Sequence, residues 1–139
     1  MADDVETWIE IRTAPDITSV RRAVGRAMDQ LGASAVRRTR LVTAASELAR
    51  NTLVHGGGGR VALRIRKGGP GNGIGVVLKF RDEGIGIADL DLALRDGYTT
   101  GTGLGLGLGG AKRLCDEFEI SSVLGGGTTV KVASWLKRP

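Results

Sequence analysis

Along the first third of the chain, apolar residues recur at helical spacing. Ile17, Val20, Val24, Met28 and Leu31 stand three or four residues apart and share one face, which predicts a helix from Asp16 to Gly32 with the glycine as its stop. Ser34 is placed to cap a second helix, along which Leu41, Ala45, Leu48 and Thr52 form a stripe until the glycine run Gly56 to Gly59 ends it.

Elsewhere the period is two. Val5, Thr7, Ile9 and Ile11 are interleaved with Glu6, Trp8, Glu10 and Arg12; Val61, Leu63 and Ile65 with Ala62, Arg64 and Arg66; Ile74, Val76, Leu78 and Phe80 with Gly75, Val77, Lys79 and Arg81. Ile120, Ser122 and Leu124, then Thr128, Val130, Val132 and Ser134, repeat the alternation across the turn Gly125-Gly126-Gly127. Half-polar strands of this kind belong to a sheet with one covered and one wetter face. Lys67 to Gly73, rich in Gly and Pro, joins two of them as a hairpin and makes those neighbours antiparallel. The expected architecture is α+β: a two-layer α/β sandwich, with helices on one face of a mixed, mostly antiparallel sheet. No repeat or linker divides residues 1–139, so one domain is expected.

Composition narrows the classes of function. The 139 residues suffice to bury a core without disulfides or a structural metal, and one cysteine (Cys115) with one histidine leaves no zinc cage. No run approaches the ~20 apolar residues of a membrane span, and the acidic start of the chain does not resemble a signal peptide. A cytoplasmic protein without a membrane partner is expected. The net charge of +5 would suit phosphates, but the arginines are spread along the chain and aromatics make up only 4%. The basic surface equally suits an acidic protein partner, and no nucleic-acid partner is expected.

Three segments carry candidate chemistry. Glu47 and Asn51 are four residues apart, so both side chains leave one face of the second helix, one turn from each other. There a carboxylate can accept or orient the proton of an attacking hydroxyl, and a neutral amide oxygen can supply a hard ligand to Mg²⁺. Alone, the pair reads equally as a solvated helix face, and Arg50 stands where it could pair with Glu47. Asp82 closes a strand and leads into Glu83-Gly84-Ile85-Gly86. An acid so placed can accept from an exocyclic amine such as that of adenine while a flat ring lies against the glycines; an ordinary turn is the plain alternative.

The third segment runs from Gly97 to Gly110, where threonines precede glycines alternating with leucines, ahead of a helical stretch ending at Cys115. Glycine costs a helix about 1 kcal/mol relative to alanine, and close approach of backbone N–H groups to phosphate is one reason to accept that cost. Gly105 to Gly110 formally matches G-x-G-x-x-G, but no apolar strand precedes it and no parallel βαβ unit surrounds it. A P-loop is excluded, because Ala111 precedes Lys112 and Arg113 follows it. The H-R-D and D-F-G elements of ordinary protein kinases are missing.

In this order, Glu47-x-x-x-Asn51, Asp82-x-Gly84-x-Gly86, Gly103-x-Gly105-x-Gly107 and Gly127-Thr128 resemble the N box and the three G boxes of the GHKL ATP-binding superfamily of histidine kinases, gyrase and Hsp90. The resemblance implies a Bergerat-type ATP-binding fold with ATP and Mg²⁺ as cofactors. Carried over residue by residue, it implies that Glu47 is the catalytic base, Asn51 the Mg²⁺ ligand and Asp82 the adenine-reading carboxylate. It also implies that Gly84 and Gly86 form the ring platform, that Gly103, Leu104, Gly105, Leu106 and Gly107 form the phosphate cradle and lid, and that Thr128 is a second polar contact near adenine. Val54 departs from the pattern, since many members carry lysine there; His55 beside it reads as a phosphate contact or as a helix-end residue with a packing role.

Within the superfamily the chain resembles the stand-alone anti-sigma-factor serine/threonine kinases of the RsbT type, through Ser46-Glu47-Leu48-Ala49-Arg50-Asn51, Asp96-Gly97-Tyr98-Thr99-Thr100, Gly103 to Leu108, Lys112 to Phe118 and Val132 to Leu136. That implies a protein kinase acting on STAS-domain proteins of the anti-anti-sigma type in a stressosome-like partner-switching pathway, with a PP2C-type phosphatase as a further partner. The rival readings are an RsbW-like anti-sigma factor using the same pocket, and a nucleotide-gated binding module that transfers no phosphate.

Overall fold

The computed structural model of the chain describes residues 6–95 and 107–136. Five strands, β1 (Glu6–Ile11), β2 (Gly59–Arg66), β3 (Ile74–Asp82), β4 (Glu117–Val123) and β5 (Gly127–Leu136), form one sheet in the order β1-β2-β3-β5-β4. All four pairings are antiparallel, so no parallel neighbour accompanies the mostly antiparallel set among the described residues. The helices are α1 (Ala14–Gln30), α2 (Ala35–Val54), α3 (Leu90–Ala93) and α4 (Gly107–Arg113). Val5, expected to open the first strand, lies outside the described residues.

The alternation sorts the sheet into two faces. Ile11, Val61, Leu63, Val76, Leu78, Phe80, Val130 and Val132 point to the covered side and meet Val20, Val24 and Met28 of α1 and Leu41, Ala45 and Leu48 of α2 in one buried cluster. Each large side chain so buried contributes about 1.5–3 kcal/mol, enough in sum to order the two layers. The register keeps the faces aligned across strands: Phe80 stands between Val61 and Val130, and Leu78 between Leu63 and Val132.

Helix α1 begins two residues earlier than its apolar stripe predicts, because capping rather than periodicity sets its start. Asp16 Oδ2 accepts from the backbone N–H groups of Arg12 at 2.8 Å and Thr13 at 2.9 Å and from Thr13 Oγ1 at 3.1 Å. Those donors, Arg12 first, hold the Asp16 carboxyl below its ordinary value. At α2 the expected cap is present, with Ser34 Oγ accepting from Arg37 N–H at 3.2 Å. The helix ends at Val54, and Gly57 (φ 72°) and Gly58 (φ 108°) then turn the chain into β2. Between β2 and β3 a single 3₁₀ turn, Pro70–Asn72, closes the expected hairpin.

Candidate functional site

A cavity of about 750 Å³ opens between the second half of α2, the end of β3, α3 and the start of α4. Its inner wall is apolar, built from Ile17, Leu48, Phe80, Leu108 and Val130, with Glu47, Asn51, Asp82, Asp89 and Thr128 among its polar lining. A largely apolar slot with a few convergent polar groups is the usual form of a small-molecule site.

Glu47, Asp82, Asp89 and Thr128 each have a definite local support. Glu47 and Asn51 sit one turn apart on α2 and both line the cavity. Glu47 is buried, 7% exposed as a residue, and both of its carboxylate oxygens are engaged. Arg50 Nη1 donates to Oε1 at 2.9 Å, and Gly107 N–H at the start of α4 donates to Oε2 at 3.3 Å. The i,i+3 pairing that the sequence left as a structural alternative is therefore present, on a side chain that also faces the cavity.

Asp82 is held from two directions, with Oδ1 accepting from Gly84 N–H at 2.9 Å and Thr128 N–H at 3.3 Å. Its carboxyl lies against the end of α2, where a Cβ on Gly56 would come 2.4 Å from Asp82 Cγ, so only glycine at 56 lets the helix end and the acid approach so closely. Thr128 is in turn tied to Ser122, whose Oγ lies 2.9 Å from Thr128 Oγ1 and accepts from Ile87 N–H at 2.7 Å. Asp82, Thr128, Ser122 and the 85–87 loop thus form one connected polar wall.

Of the residues singled out in the sequence, Glu47, Asn51, His55, Asp82, Gly86, Gly107 and Thr128 line the cavity. Gly84 is not among its lining residues; a Cβ there would meet Gly56 Cα at 2.8 Å, and one on Gly86 would meet Val123 O at 2.4 Å. Both glycines are thus required by backbone packing within the protein. Gly103, Leu104, Gly105 and Leu106, with the segment Asp96 to Thr100, lie outside the described residues.

The structure adds residues that sequence reasoning missed. The one-turn helix α3, capped by Asp89 Oδ1 accepting from Leu92 N–H at 3.0 Å, closes one side of the cavity. Gly109 of α4 packs on it, since a Cβ at 109 would come 2.3 Å from Leu94 O. This glycine answers to helix packing, a reason distinct from phosphate approach. Arg50 is the sole lysine or arginine among the described lining residues, beside three carboxylates at Glu47, Asp82 and Asp89. Among the described residues no three His, Cys, Asp or Glu side chains gather as a metal cage. The donor present, the Asn51 amide, suits a hard ion that keeps most of its shell in water and phosphate oxygens, as Mg²⁺ does.

The sequence pattern of the histidine kinase-, DNA gyrase B- and HSP90-like ATPases matches residues 36–138. The serine/threonine-protein kinase RsbT of Bacillus subtilis (strain 168) is 36% identical over 132 residues, which cover 95% of this chain and 98% of that protein. Among solved structures, the RsbU and RsbW domains of Rv1364c from Mycobacterium tuberculosis superpose with a TM-score of 0.66 at 23% identity, covering 97% of this chain and 33% of theirs. This chain therefore spans about a third of that protein's length. The SiaB-SiaC complex from Pseudomonas aeruginosa gives a TM-score of 0.52 at 15% identity over 96% of this chain and 91% of that chain. At such identities the two structures are alike in fold.

Proposed function

Since the chain belongs to the histidine kinase-, DNA gyrase B- and HSP90-like ATPases and is an ATP-dependent, partner-switching serine/threonine-protein kinase of the RsbT type, we propose that it phosphorylates a small STAS-domain protein, with Glu47 as base and Asn51 as Mg²⁺ ligand. The observation that carries the reading is convergence. Glu47 and Asn51, one turn apart on α2, face the same cavity as Asp82 and Thr128, which arrive from β3 and β5. The pathway is a stressosome-like one in the cytoplasm, with a PP2C-type phosphatase as second partner and a sigma factor or other output downstream.

In this mechanism the apolar slot lined by Phe80 and Val130 would take adenine, and the Asp82 carboxylate, fixed by Gly84 and Thr128, would accept from its amine. Asn51 would hold Mg²⁺, which would neutralise phosphate charge when bound. Glu47 takes the proton of the partner's serine or threonine hydroxyl as that oxygen bonds to the γ-phosphorus, the β–γ bridging bond breaks and ADP leaves. Phosphoryl transfer depends mainly on positioning and charge stabilisation, and the Arg50 and Gly107 donors aim the carboxylate that does the positioning.

The test incubates the protein with Mg²⁺, γ-labelled ATP and candidate STAS-domain proteins, beside Glu47→Gln, and maps the labelled residue. Label on a serine or threonine that disappears with Glu47→Gln, while a fluorescent ATP analogue still binds both proteins, supports the reading. Normal transfer by Glu47→Gln overturns the base, and tight ATP binding without label on any candidate overturns the substrate class.

A further inference from the structure

The uncovered face of the sheet is cationic in a way the linear sequence hides. The alternation that sends Val61, Leu78 and Val132 into the core sends Arg60, Arg64 and Arg66 of β2, Lys79 and Arg81 of β3 and Lys131 of β5 to the opposite side. These three inner strands bear no carboxylate on that face. Among the described residues, the acids on this face of the sheet stand on the edge strands, Glu6 and Glu10 on β1 and Glu117 and Glu119 on β4. Much of the chain's net charge of +5 is thus expressed as one stripe between two acidic borders.

The register sharpens the point. Arg60 is directly opposite Arg81 on one side and Glu10 on the other, and Lys131 is opposite Lys79 on one side and Glu119 on the other, so Lys79 and Arg81 of the central strand have no acid across from them on either neighbouring strand. Like charges facing each other across strands destabilise a sheet, and here two such pairs are adjacent at its centre. Beneath them Ala62, Val77 and Ala133 are buried under long cationic side chains, and the guanidinium of Arg60 lies 4.7 Å over the ring of the half-exposed Trp8. A cleft of about 320 Å³ opens there, lined by the cations Arg64, Lys79, Arg81 and Lys131 and, at its β1 margin, by Trp8 and the single acid Glu6.

We propose that this face is a docking surface for an acidic protein segment, separate from the nucleotide cavity on the other side of the sheet. A carboxylate-rich segment relieves the Arg60–Arg81 and Lys79–Lys131 repulsion. The acidic borders at β1 and β4 confine it to a width of three strands, roughly 10–15 Å. A nucleic-acid backbone crossing the stripe would meet Glu6 and Glu10 or Glu117 and Glu119, and of the two tryptophans on this face, Trp8 and Trp135, only Trp8 is exposed, which offers little base stacking. A second copy of the chain would set cation against cation.

The test uses the whole chain and a fluorescein-labelled twelve-residue glutamate-rich peptide, read by anisotropy at two salt concentrations, against Lys79→Glu/Arg81→Glu. These two substitutions place carboxylates opposite Lys131 and Arg60, so the fold keeps or raises its Tm while the stripe loses its charge. The expected result is salt-sensitive peptide binding to the wild type that falls at least tenfold in the double variant, with binding of a fluorescent ATP analogue unchanged. Equal peptide binding by both proteins overturns the surface. Tighter binding of a twelve-base-pair DNA duplex than of the peptide, or face-dependent dimerisation in sedimentation, overturns the class of partner. The ATP-analogue arm is independent of kinase activity, so an inactive enzyme does not decide the outcome. A double variant with lowered Tm and lost ATP binding would assign the cations a structural role instead.

Discussion

Arg50 Nη1 and Glu47 Oε1 are 2.9 Å apart, one turn along α2, and the pair joins the buried carboxylate to a half-exposed cation at the cavity wall. The arginine side chain is 43% exposed, so solvent screening keeps its contribution to stability near or below about 1 kcal/mol. Its effect on the direction of the carboxylate is larger. With Glu47 as the proposed base, Arg50→Ala should leave Tm nearly unchanged while cutting kinase turnover about tenfold or more, since small misplacements of a catalytic group are costly. Parallel melting curves and single-turnover transfer measurements decide it; unaltered transfer would leave the ion pair without a part in the reaction.

Gly56→Ala probes the meeting of α2 with Asp82. The added methyl would sit 2.4 Å from Asp82 Cγ, so the carboxyl must leave its bonds to Gly84 and Thr128 or the helix end must shift. With Asp82 as the proposed adenine contact, loss of one charge-assisted hydrogen bond corresponds to about 10–100-fold in ATP affinity. Titration with a fluorescent ATP analogue, on a variant with native circular dichroism, reads this directly.

Gly109→Ala addresses α4. With Leu94 O only 2.3 Å from the new Cβ, overpacking should lower stability by about 1–3 kcal/mol. A urea melt with unchanged midpoint would mean that α3 yields at no cost.

Asp16 sets a dependence on acid. Its carboxyl is held below the ordinary value of 3.8 by the N–H groups of Arg12 and Thr13, so its contribution is complete above that pH and is lost as pH falls through the lower folded value. The Tm difference between wild type and Asp16→Ala should therefore be full at pH 6 and shrink below pH 3.8. A difference constant to pH 2 would contradict the capping role.

Cys115 responds at the other end of the scale. Burial first, then the neighbouring Asp116, pushes its thiol up to about 12 from 9.0, with Arg40 opposing. In the folded protein, alkylation at pH 8 should be about a thousandfold slower than in urea, following the depleted thiolate. The associated stability is complete below pH 9.0 and lost as pH climbs toward about 12.

The helix stripes, the strand alternation and the hairpin at Lys67 to Gly73 were legible because each is a local pattern repeating every two to four residues or confined to one short turn. Strand order was not, since the placement of β5 between β3 and β4 depends on contacts distant in the chain. Helix α3 escaped notice because four residues carry no period, and the Ser122 bridge because a serine in an alternating strand announces no partner. Spacing put Glu47 and Asn51 on one face, and the motif order supplied Asp82 and Thr128. Arg50 entered only as a possible partner of Glu47, with no hint that it faced the cavity. Glycines were ambiguous, because sequence cannot distinguish a glycine bared to a ligand from one pressed against Leu94 or Val123.

The insertion of β5 between β3 and β4 bears on how the chain is made. While a ribosome is still extending it, β3 has a partner on one side only, and its apolar Val76, Leu78 and Phe80 wait for residues some fifty positions later. The Asp82–Thr128 contact closes at the same moment as the sheet. With Asp82 in its proposed role, nucleotide recognition would be among the last properties a nascent molecule acquires, and a chain halted before residue 127 would be prone to pair its open strand with a neighbour.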